Sequence, residues 1–284
     1  MGKDERLGLL LVAMGAVGFS SAILFNRAII GLNGAQISFF RAVAAFLFFS
    51  LLRWRSRSPC QLRRRPTLWP LLTGLAITVG ATGALYMAAL RETTAATAVL
   101  LNNTSALYVA LLAPPLLKEP LHPATRVSLP LTLTGMWLVT TGGHAAPLGS
   151  WRGVALGVLS GLSYALTMLI SRRLRGEVEG VVQVWWGMAG AIFVAAPFAV
   201  GTPIPLLRAN ALLLATMGVV AVGLPYALYF RGLERAPAQA VSLVAMLEPV
   251  CGVLIGAVRL HEPMTPAIGL GVLLVLTGIA LISR

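Results

Sequence analysis

The sequence contains few charged residues, very few acidic ones, and little cysteine or histidine. Of its 284 residues 11% are charged, whereas soluble globular proteins average about a quarter. Nine residues are Asp or Glu, against 22 Lys and Arg. With 57% hydrophobic residues and a mean hydropathy of +0.84, the composition excludes a soluble globular class and indicates an integral membrane protein.

The scarcity of reactive residues limits the chemistry that this chain can perform. Cys60 lies in a basic loop and Cys251 in an apolar run, so we expect no disulfide, and three dispersed histidines predict no metal site. No phosphate-binding loop, nucleophile elbow or dinucleotide fingerprint occurs, which leaves ATP-driven transport within this chain without support. A membrane-embedded enzyme would need an interfacial cluster of His, Asp or Glu. We therefore expect no enzymatic activity, no cofactor and no metal.

The net charge of +13 and the pI near 11.3 would suggest nucleic acid as a partner of a soluble protein. Here the basic residues lie between apolar runs, mostly in one set of loops, where lipid headgroups are the better explanation. The expected partners are therefore the lipid bilayer and a small-molecule substrate, with no nucleic acid. The protein itself is expected to be a monomer or a weak dimer.

The sequence repeats itself at an offset of about 143 positions. Glu-Pro-x-x-Pro begins at Glu119 and again at Glu262. Between Val79 and Leu138 about 18 of 60 positions agree with their mates, whereas composition alone would give roughly 6. The chain is therefore a duplicated unit, with repeats at 1–145 and 146–284. The apolar amino-terminal run resembles a cleavable signal peptide, but the duplication uses it as a first helix.

Each repeat contains five apolar runs long enough to cross about 30 Å of hydrocarbon. Helices are expected, because every backbone polar group in lipid must be bonded within its own segment. The fold class is therefore all-α, with ten transmembrane helices. Their limits are Leu7 to Phe25, Ala35 to Leu52, Leu68 to Leu90, Ala95 to Leu117, Pro123 to Thr141, Trp151 to Ile170, Val181 to Val200, Ala211 to Phe230, Ala236 to Val258 and Pro266 to Ile282.

An odd number of spans in each repeat means that two tandem copies cross the membrane in opposite directions, as an inverted repeat. The loop charges test this independently. With the amino terminus inside, sixteen Lys and Arg residues fall in inner segments and five in outer ones, namely Arg27, Arg91, Arg152, Arg208 and Arg259. This positive-inside bias predicts cytoplasmic termini.

The order of these features resembles the EamA-type transporters of the drug/metabolite transporter superfamily. The resemblance covers essentially the whole chain, and its short motifs are Glu119-Pro120, Glu262-Pro263, Gly135, Gly278, Phe40-Arg41-Ala42 and Glu248-Pro249. It implies export or exchange of small metabolites across a bacterial plasma (inner) membrane. Among characterised relatives, the chain is most similar in kind to the bacterial amino-acid exporters (YddG-like).

Glu248 is the one acidic residue at mid-membrane depth. It lies about 11 residues into the ninth span, or roughly 16 Å at a rise of 1.5 Å per residue. A carboxylate there must face water, pair with a cation or be protonated. Two roles remain open: a site for a substrate amine or a coupling proton, and a structural hydrogen bond at the Pro249 kink. Its repeat mate is Ser105, so the charge breaks the pseudo-symmetry.

Arg41 lies about six residues inside the second span from its outer end. A guanidinium that stays charged needs a counter-charge or water. It is a candidate counter-charge for a substrate carboxylate or a scaffold residue that binds helix-end carbonyls. We favour the scaffold role, because its repeat mate is Trp186 and because it can snorkel toward the interface.

Polar and aromatic residues at helical spacing predict one polar face on several spans. Ser160, Ser163, Thr167 and Ser171 follow one another at intervals of three or four in the sixth span. Such hydroxyl stripes mark helix packing more often than substrate contact. The tyrosines Tyr86 and Tyr229 are repeat mates and candidate wall or gate residues.

The paired junctions are expected to be structural. Glu119 and Glu262 precede the fifth and tenth helices, where a carboxylate caps free amide groups and a proline fits the first turn. His122 and His261 fall on opposite membrane faces in this topology, which excludes a shared site.

The function that combines these features is secondary transport of small metabolites, neutral or aromatic amino acids first, by alternating access through a central cavity between the repeats. Efflux of cationic drugs, with Glu248 as the cation partner, is the alternative. The predicted cavity residues are Tyr86, Asn102, Ser105, Ser163, Thr167, Tyr229 and Glu248.

Overall fold

The apolar runs form helices, as the need for internal backbone hydrogen bonds in lipid requires. A computed structural model describes residues 2–56, 66–144, 149–260 and 264–283, and every regular element in these ranges is helical. All ten predicted spans fall on helices. The predictions for Cys60, His261 and Glu262 and for the basic residues between 57 and 65 lie outside the described residues.

Across the described ranges, a 3₁₀ turn at Pro66–Leu68 and a π-helical turn at Gly218–Gly223 accompany fourteen α-helices. These are α1 (Lys3–Ser20), α2 (Ala22–Ala28), α3 (Gly34–Ser56), α4 (Trp69–Glu92), α5 (Ala95–Asn103), α6 (Ser105–Leu117), α7 (Pro123–Thr141), α8 (Trp151–Arg173), α9 (Gly180–Ala199), α10 (Ile204–Met217), α11 (Leu224–Arg235), α12 (Ala238–Val244), α13 (Leu247–Leu260) and α14 (Pro266–Ile282).

Eight helical stretches of the described chain are long and apolar enough to cross a membrane. Several of them join two or more of the α-helices end to end, as α1 and α2 do in Lys3–Ala28. The helix α14, with 17 residues, is apolar but shorter, and α7 is not among the eight. The protein is therefore a multi-pass membrane protein whose described elements are all helical, and the crossing of α7 and α14 stays a prediction.

The two halves of the chain interleave. The most extensive helix contacts all join one half to the other: α7 packs on α14, α4 on α8 and α9, α1 on α11, and α3 on α9. The core cluster accordingly draws buried side chains from both halves, for example Val12, Phe49 and Leu72 from the first and Met168 and Phe230 from the second. The interior therefore lies between the halves.

Glycines allow these helices to approach one another closely. A Cβ added at Gly80 of α4 would lie 2.7 Å from the Gly190 carbonyl oxygen of α9, too close for any real side chain. Small residues at such crossings are the usual means by which membrane helices pack.

We expect Gly80→Ala to destabilise the protein by about 1 to 3 kcal/mol, the usual cost of overpacking. Gly83→Ala in the same helix is the control, because a Cβ there would meet nothing within 4 Å. It should be neutral or slightly stabilising, since Ala is the better helix former. Thermal unfolding in detergent measures both. Equal midpoints for the two variants would contradict the close contact.

The bundle has two ends, which we name by what they contain. The N-terminal side holds the start of α1 and the C-terminal end of α11, where Arg235 Nε lies 3.5 Å from Asp4 Oδ1. The far side holds the ends of α4 and α2; there Ser150 Oγ donates to Glu92 Oε2 at 2.7 Å, and Ile30 N donates to Asn210 Oδ1 at 3.2 Å.

Two of the predicted spans are broken near mid-length, whereas the sequence indicated only a kink at Pro249 in one of them. The α5–α6 pair breaks at Thr104 and the α12–α13 pair at Ala245 and Met246, within two residues of the same repeat position. Thr104 Oγ1 donates to the Leu101 carbonyl at 2.6 Å, in competition with the helix ladder. In the second pair Pro249 has no N–H for the Ala245 carbonyl, which accepts from Glu248 N at 3.0 Å instead.

The π-helical turn at Gly218–Gly223 joins α10 to α11 just before Pro225. A proline ring clashes with the carbonyl four residues earlier, and a wider turn is one way to relieve that clash. This turn packs against α3: a Cβ at Gly218 would lie 2.7 Å from the Arg41 carbonyl oxygen. The turn therefore holds Arg41 and the start of α11 next to each other.

Candidate functional site

Glu248 lies in the first turn of α13, directly after the break that separates this helix from α12. Its side chain is exposed, although it interacts electrostatically with ionisable residues on three other helices: Arg41 of α3, Tyr86 of α4 and Tyr226 of α11. Exposure together with neighbours on several sides places the carboxylate at an accessible space inside the bundle. A carboxylate exposed to lipid instead would be costly.

The exposed arc of α13 has a polar edge and an apolar edge. At about 100° per residue, Glu248 and Gly252 lie at one edge, and Leu254 and Val258 at the other, roughly 120° away. A Cβ at Gly252 would meet nothing within 4 Å, so open space continues beside Glu248. The leucine and valine edge is typical of a lipid-facing surface.

Four polar side chains surround this space without a direct partner. They are Arg41, Tyr86, Tyr226 and Glu248, which we call the central site. Each is partly or fully exposed, and none of the four forms a side-chain hydrogen bond or ion pair with another described residue. The Arg41 guanidinium and the Glu248 carboxylate therefore influence each other without forming the contact of about 4 Å that defines an ion pair.

This arrangement bears on the two roles that the sequence left open for Arg41. No helix-end carbonyl among the described residues accepts a hydrogen bond from its side chain. Its backbone is held instead, by the packing of Gly218 on the Arg41 carbonyl. The described residues thus provide no hydrogen bond that would support the scaffold role. The neighbours of the guanidinium are charged and phenolic groups instead.

Aromatic rings border the central site. Phe19 of α1 lies edge-on to Tyr226, with ring centroids 4.7 Å apart, and to Tyr229 at 6.4 Å. Tyr229 is buried, and its hydroxyl approaches Tyr164 of α8 at a geometry short of a regular hydrogen bond. These rings form an apolar floor with hydroxyl groups at its edge, a surface suited to a moderately hydrophobic group.

The remaining predicted cavity residues lie in helix contacts. Ser163 Oγ donates to the Thr78 carbonyl of α4 at 3.0 Å, and Thr167 Oγ1 donates within its own helix to the Ser163 carbonyl at 3.1 Å. Asn102 Oδ1 accepts from Ser160 Oγ at 2.8 Å, and Ser105 is buried. The polar stripe of α8 thus binds α4 and α5, whereas Tyr86 and Glu248 meet at the accessible space.

The N-terminal side of the bundle is closed by a polar network that joins the two halves. Arg172 Nε donates to Glu119 Oε1 at 2.6 Å, and the Arg172 Nη1 donates to the Leu233 and Glu234 carbonyls at 2.9 and 3.0 Å. Glu119 Oε2 accepts from Ala238 N at 3.0 Å. All seven residues of α12, which starts at Ala238, are buried beneath this network.

The prediction that Glu119 caps α7 is therefore wrong. His122 is the cap, since its Nδ1 accepts from Ala124 N at 3.2 Å. Glu119 instead caps α12, which lies in the other half of the chain. The reason is the turn after α6, where Lys118 has a positive φ of 57° and directs Glu119 toward α8 and α12.

The far side is packed less tightly than the N-terminal side. None of residues 81–88 of α4 is buried, although four residues of its first half are. Along α13 only two of residues 247–259 are buried, against all of α12. The polar network and the buried α12 therefore lie on the N-terminal side of the central site, and the less buried parts of α4 and α13 lie toward the far side.

Comparison with known proteins identifies the chain's family. The profile of the EamA-like transporter family matches it twice, at residues 6–141 and 151–284. The chain belongs to the EamA-like transporter family. This membership indicates a transporter and not an enzyme.

Relatives of this EamA protein match most or nearly all of its length. An uncharacterized transporter of Archaeoglobus fulgidus is 27% identical over 98% of this chain and 97% of its own. An uncharacterized transporter of Bacillus subtilis is 24% identical over 81% of this chain and 77% of its own. A solved crystal structure at 17% identity superposes with a TM-score of 0.81, covering 96% of this chain and 95% of that one, and so shares the fold.

Sequence reasoning missed two participants in this EamA bundle. Tyr226 was not among the predicted cavity residues, although its position directly after Pro225 places it at a distortion of the helix. The contact between Glu119 and Arg172 spans 53 positions and leaves no local signal. Both depend on tertiary packing that periodicity does not reveal.

Proposed function

We propose that this EamA protein is a secondary transporter that exports or exchanges small metabolites, neutral or aromatic amino acids first. The observation that carries this proposal is the central site, where opposite charges on Arg41 and Glu248 are accessible and lack direct protein partners. Unpaired intramembrane charges are expensive and mark substrate or ion pathways. A mainly apolar floor beside them suits the side chain of an amino acid.

We further propose ten spans in two inverted five-helix repeats, 1–145 and 146–284, in a bacterial inner membrane with both termini cytoplasmic. The family matches at 6–141 and 151–284 and the paired helix breaks support the duplication. The positive-inside bias supports the orientation. In this orientation the N-terminal side is cytoplasmic and the structure is outward-facing.

In alternating access, the closed end and the open end of the protein would then change places. The network of Glu119 and Arg172 on the N-terminal side, and the lower burial of α4 and α13 toward the far side, support a state that is closed at the N-terminal side and open at the far side. Transport requires a second state in which this network is broken and the far side closes. The halves supply the moving parts, because the network joins the turn after α6 in the first half to α8 and α12 of the second.

Efflux of lipophilic cations is the second candidate, and one observation favours it. The Glu248 carboxylate lies among Tyr226, Tyr164 and Tyr229, which resembles the acidic and aromatic surroundings that bind organic cations. Arg41 argues against the cation-efflux candidate, because its positive charge acts on the same space.

Purified protein in liposomes should show saturable uptake of radiolabelled amino acids that unlabelled competitors suppress. We expect a flux at least about tenfold above that of protein-free liposomes for the preferred members of a panel of the twenty amino acids. The same vesicles are tested with tetraphenylphosphonium. Flux of the cation alone would replace the amino-acid proposal by the second candidate. If none of the amino acids in the panel is transported, amino acids are refuted as the substrate class.

A further inference from the structure

The central site carries one positive and one negative charge and so has no net charge of its own. Arg41 and Glu248 interact electrostatically, yet neither forms an ion pair or hydrogen bond with a described residue. A cation bound beside Glu248 leaves Arg41 without a counter-charge, and an anion bound beside Arg41 does the same to Glu248. The site therefore discriminates against ligands with a single charge, because each of them leaves one protein charge unpaired.

The two charges also lie at different depths. Arg41 is about 10 Å from the far end of α3, and Glu248 about 18 Å from the far end of α13, at a rise of 1.5 Å per residue. Charge-assisted hydrogen bonds are about 2.8 Å long. A ligand that bears a carboxylate and an ammonium on one carbon atom can therefore satisfy both residues at once.

The floor of the site determines what else the ligand can contain. Tyr226 interacts with both charged residues, and its ring packs on Phe19 with centroids 4.7 Å apart. Aromatic rings therefore lie beside both charged groups. An apolar side chain attached next to the ammonium would lie on that floor.

On these grounds we infer that the central site is a zwitterion clamp for an α-amino acid: Arg41 binds its carboxylate, Glu248 binds its ammonium, and its neutral side chain lies against Phe19 and Tyr226. This inference rests on the proposed function and makes it more specific. It assigns Arg41 and Glu248 to opposite ends of one ligand. It also explains why both charges are present without a direct bond between them.

The test uses ligands that differ in one charged group only. L-Phenylalanine is compared with phenethylamine, which lacks the carboxylate, and with 3-phenylpropionate, which lacks the ammonium. A second series consists of L-leucine, isopentylamine and 4-methylpentanoate. Binding to purified protein in nanodiscs is measured by calorimetry, for the wild type, Arg41→Gln and Glu248→Gln. Arg91→Gln, an exposed cation at the end of α4, is the control.

We expect the wild type to bind at least one of the two amino acids about 30-fold or more tightly than either of its analogues. Glu248→Gln should weaken amino-acid binding about 100-fold but strengthen the binding of the carboxylate analogue above its wild-type level. Arg41→Gln should do the reverse and strengthen the amine analogue. Arg91→Gln should leave the ranking unchanged. A misfolded variant cannot gain affinity for one analogue, so this crossed pattern identifies the clamp.

Other results overturn the inference in distinguishable ways. If an amino acid binds but its analogues bind the wild type equally well, or if all three ligands weaken in parallel in both variants, the clamp is refuted and the proposed function stands. If neither amino acid binds the wild type and neither is transported in liposomes, both the clamp and the proposed substrate class are refuted. Binding of the amines alone would favour cation efflux and refute the clamp.

Discussion

Replacing Arg172 by glutamine is expected to open the N-terminal side of the protein. Arg172 donates to Glu119 and to the carbonyls of Leu233 and Glu234, and its side chain is 9% exposed. Removing one partner of a buried charge pair costs about 3 to 5 kcal/mol, and less where a partner is partly exposed, as Glu119 is here. A loss of about 2 kcal/mol from the closed state alone shifts the equilibrium toward opening about 30-fold.

A thiol reporter in α12 measures this opening. Ser242 is buried on α12, and Ser242→Cys in a Cys60→Ser, Cys251→Ala background should react slowly with a water-soluble maleimide. We expect Arg172→Gln to raise the labelling rate at least about tenfold, in line with the shift in population. Arg173→Gln is the matched control, because Arg173 is the exposed neighbour in the sequence.

A second reporter separates opening from unfolding. Gly252→Cys lies beside the central site and should be labelled readily in the wild-type background, since open space surrounds that position. If the two ends alternate, Arg172→Gln should slow labelling there while accelerating it at position 242. Faster labelling at both positions would indicate unfolding. Unchanged labelling at position 242 would show that the network does not hold the N-terminal side closed.

A bulky residue at Gly252 is expected to block transport. A Cβ at Gly252 meets nothing within 4 Å, and the position shares the polar edge of α13 with Glu248. Gly252→Trp would therefore fill the space that leads from the far side to the central site. We expect amino-acid flux in liposomes to fall at least about 30-fold, since a ligand that cannot enter gains no binding energy.

Leu254→Trp provides the control on the same helix. Leu254 is 41% exposed at the apolar edge, where an indole ring meets lipid and no ligand. Flux should stay within about twofold of wild type, because apolar exchanges on a lipid-facing surface are tolerated. Comparable losses for the two variants, or full activity of Gly252→Trp with normal expression, would place the transport path elsewhere.

The helices could be predicted from the sequence because one physical requirement dominates them. Backbone groups in lipid must be bonded internally, so each long apolar run in Leu7 to Ile282 could be assigned without knowledge of its neighbours. The depth of Glu248 followed from the rise of a helix alone. These properties belong to single segments, and hydropathy records them directly.

The partners of polar side chains could not be predicted in the same way. Periodicity placed Ser160, Ser163 and Thr167 on one face, but a face turned to water and a face turned to the carbonyls of α4 have the same sequence pattern. The break before Glu248 was hidden for a similar reason, since Pro249 is compatible with a kink, a static bend or a discontinuity.

The repeat register proved more useful than the repeated motif. It paired Ser105 with Glu248, and these residues now lie in the first turns of α6 and α13, at corresponding breaks. It also paired Arg41 with Trp186, which lies on α9 with its ring edge-on to Trp185 and Trp69. The charged member of each pair belongs to the central site, and the uncharged member lies in packing.

The interleaving of the two halves also constrains biosynthesis. A ribosome delivers α1 to α7 before α8 to α14, yet α1, α4 and α7 find their main packing partners only in the later half. Until those arrive, glycine-lined faces such as that of Gly80 are covered by lipid or by chaperones. We therefore expect the first half to remain protease-sensitive in the membrane until the second has been inserted, and the two halves, expressed as separate polypeptides, to accumulate only together.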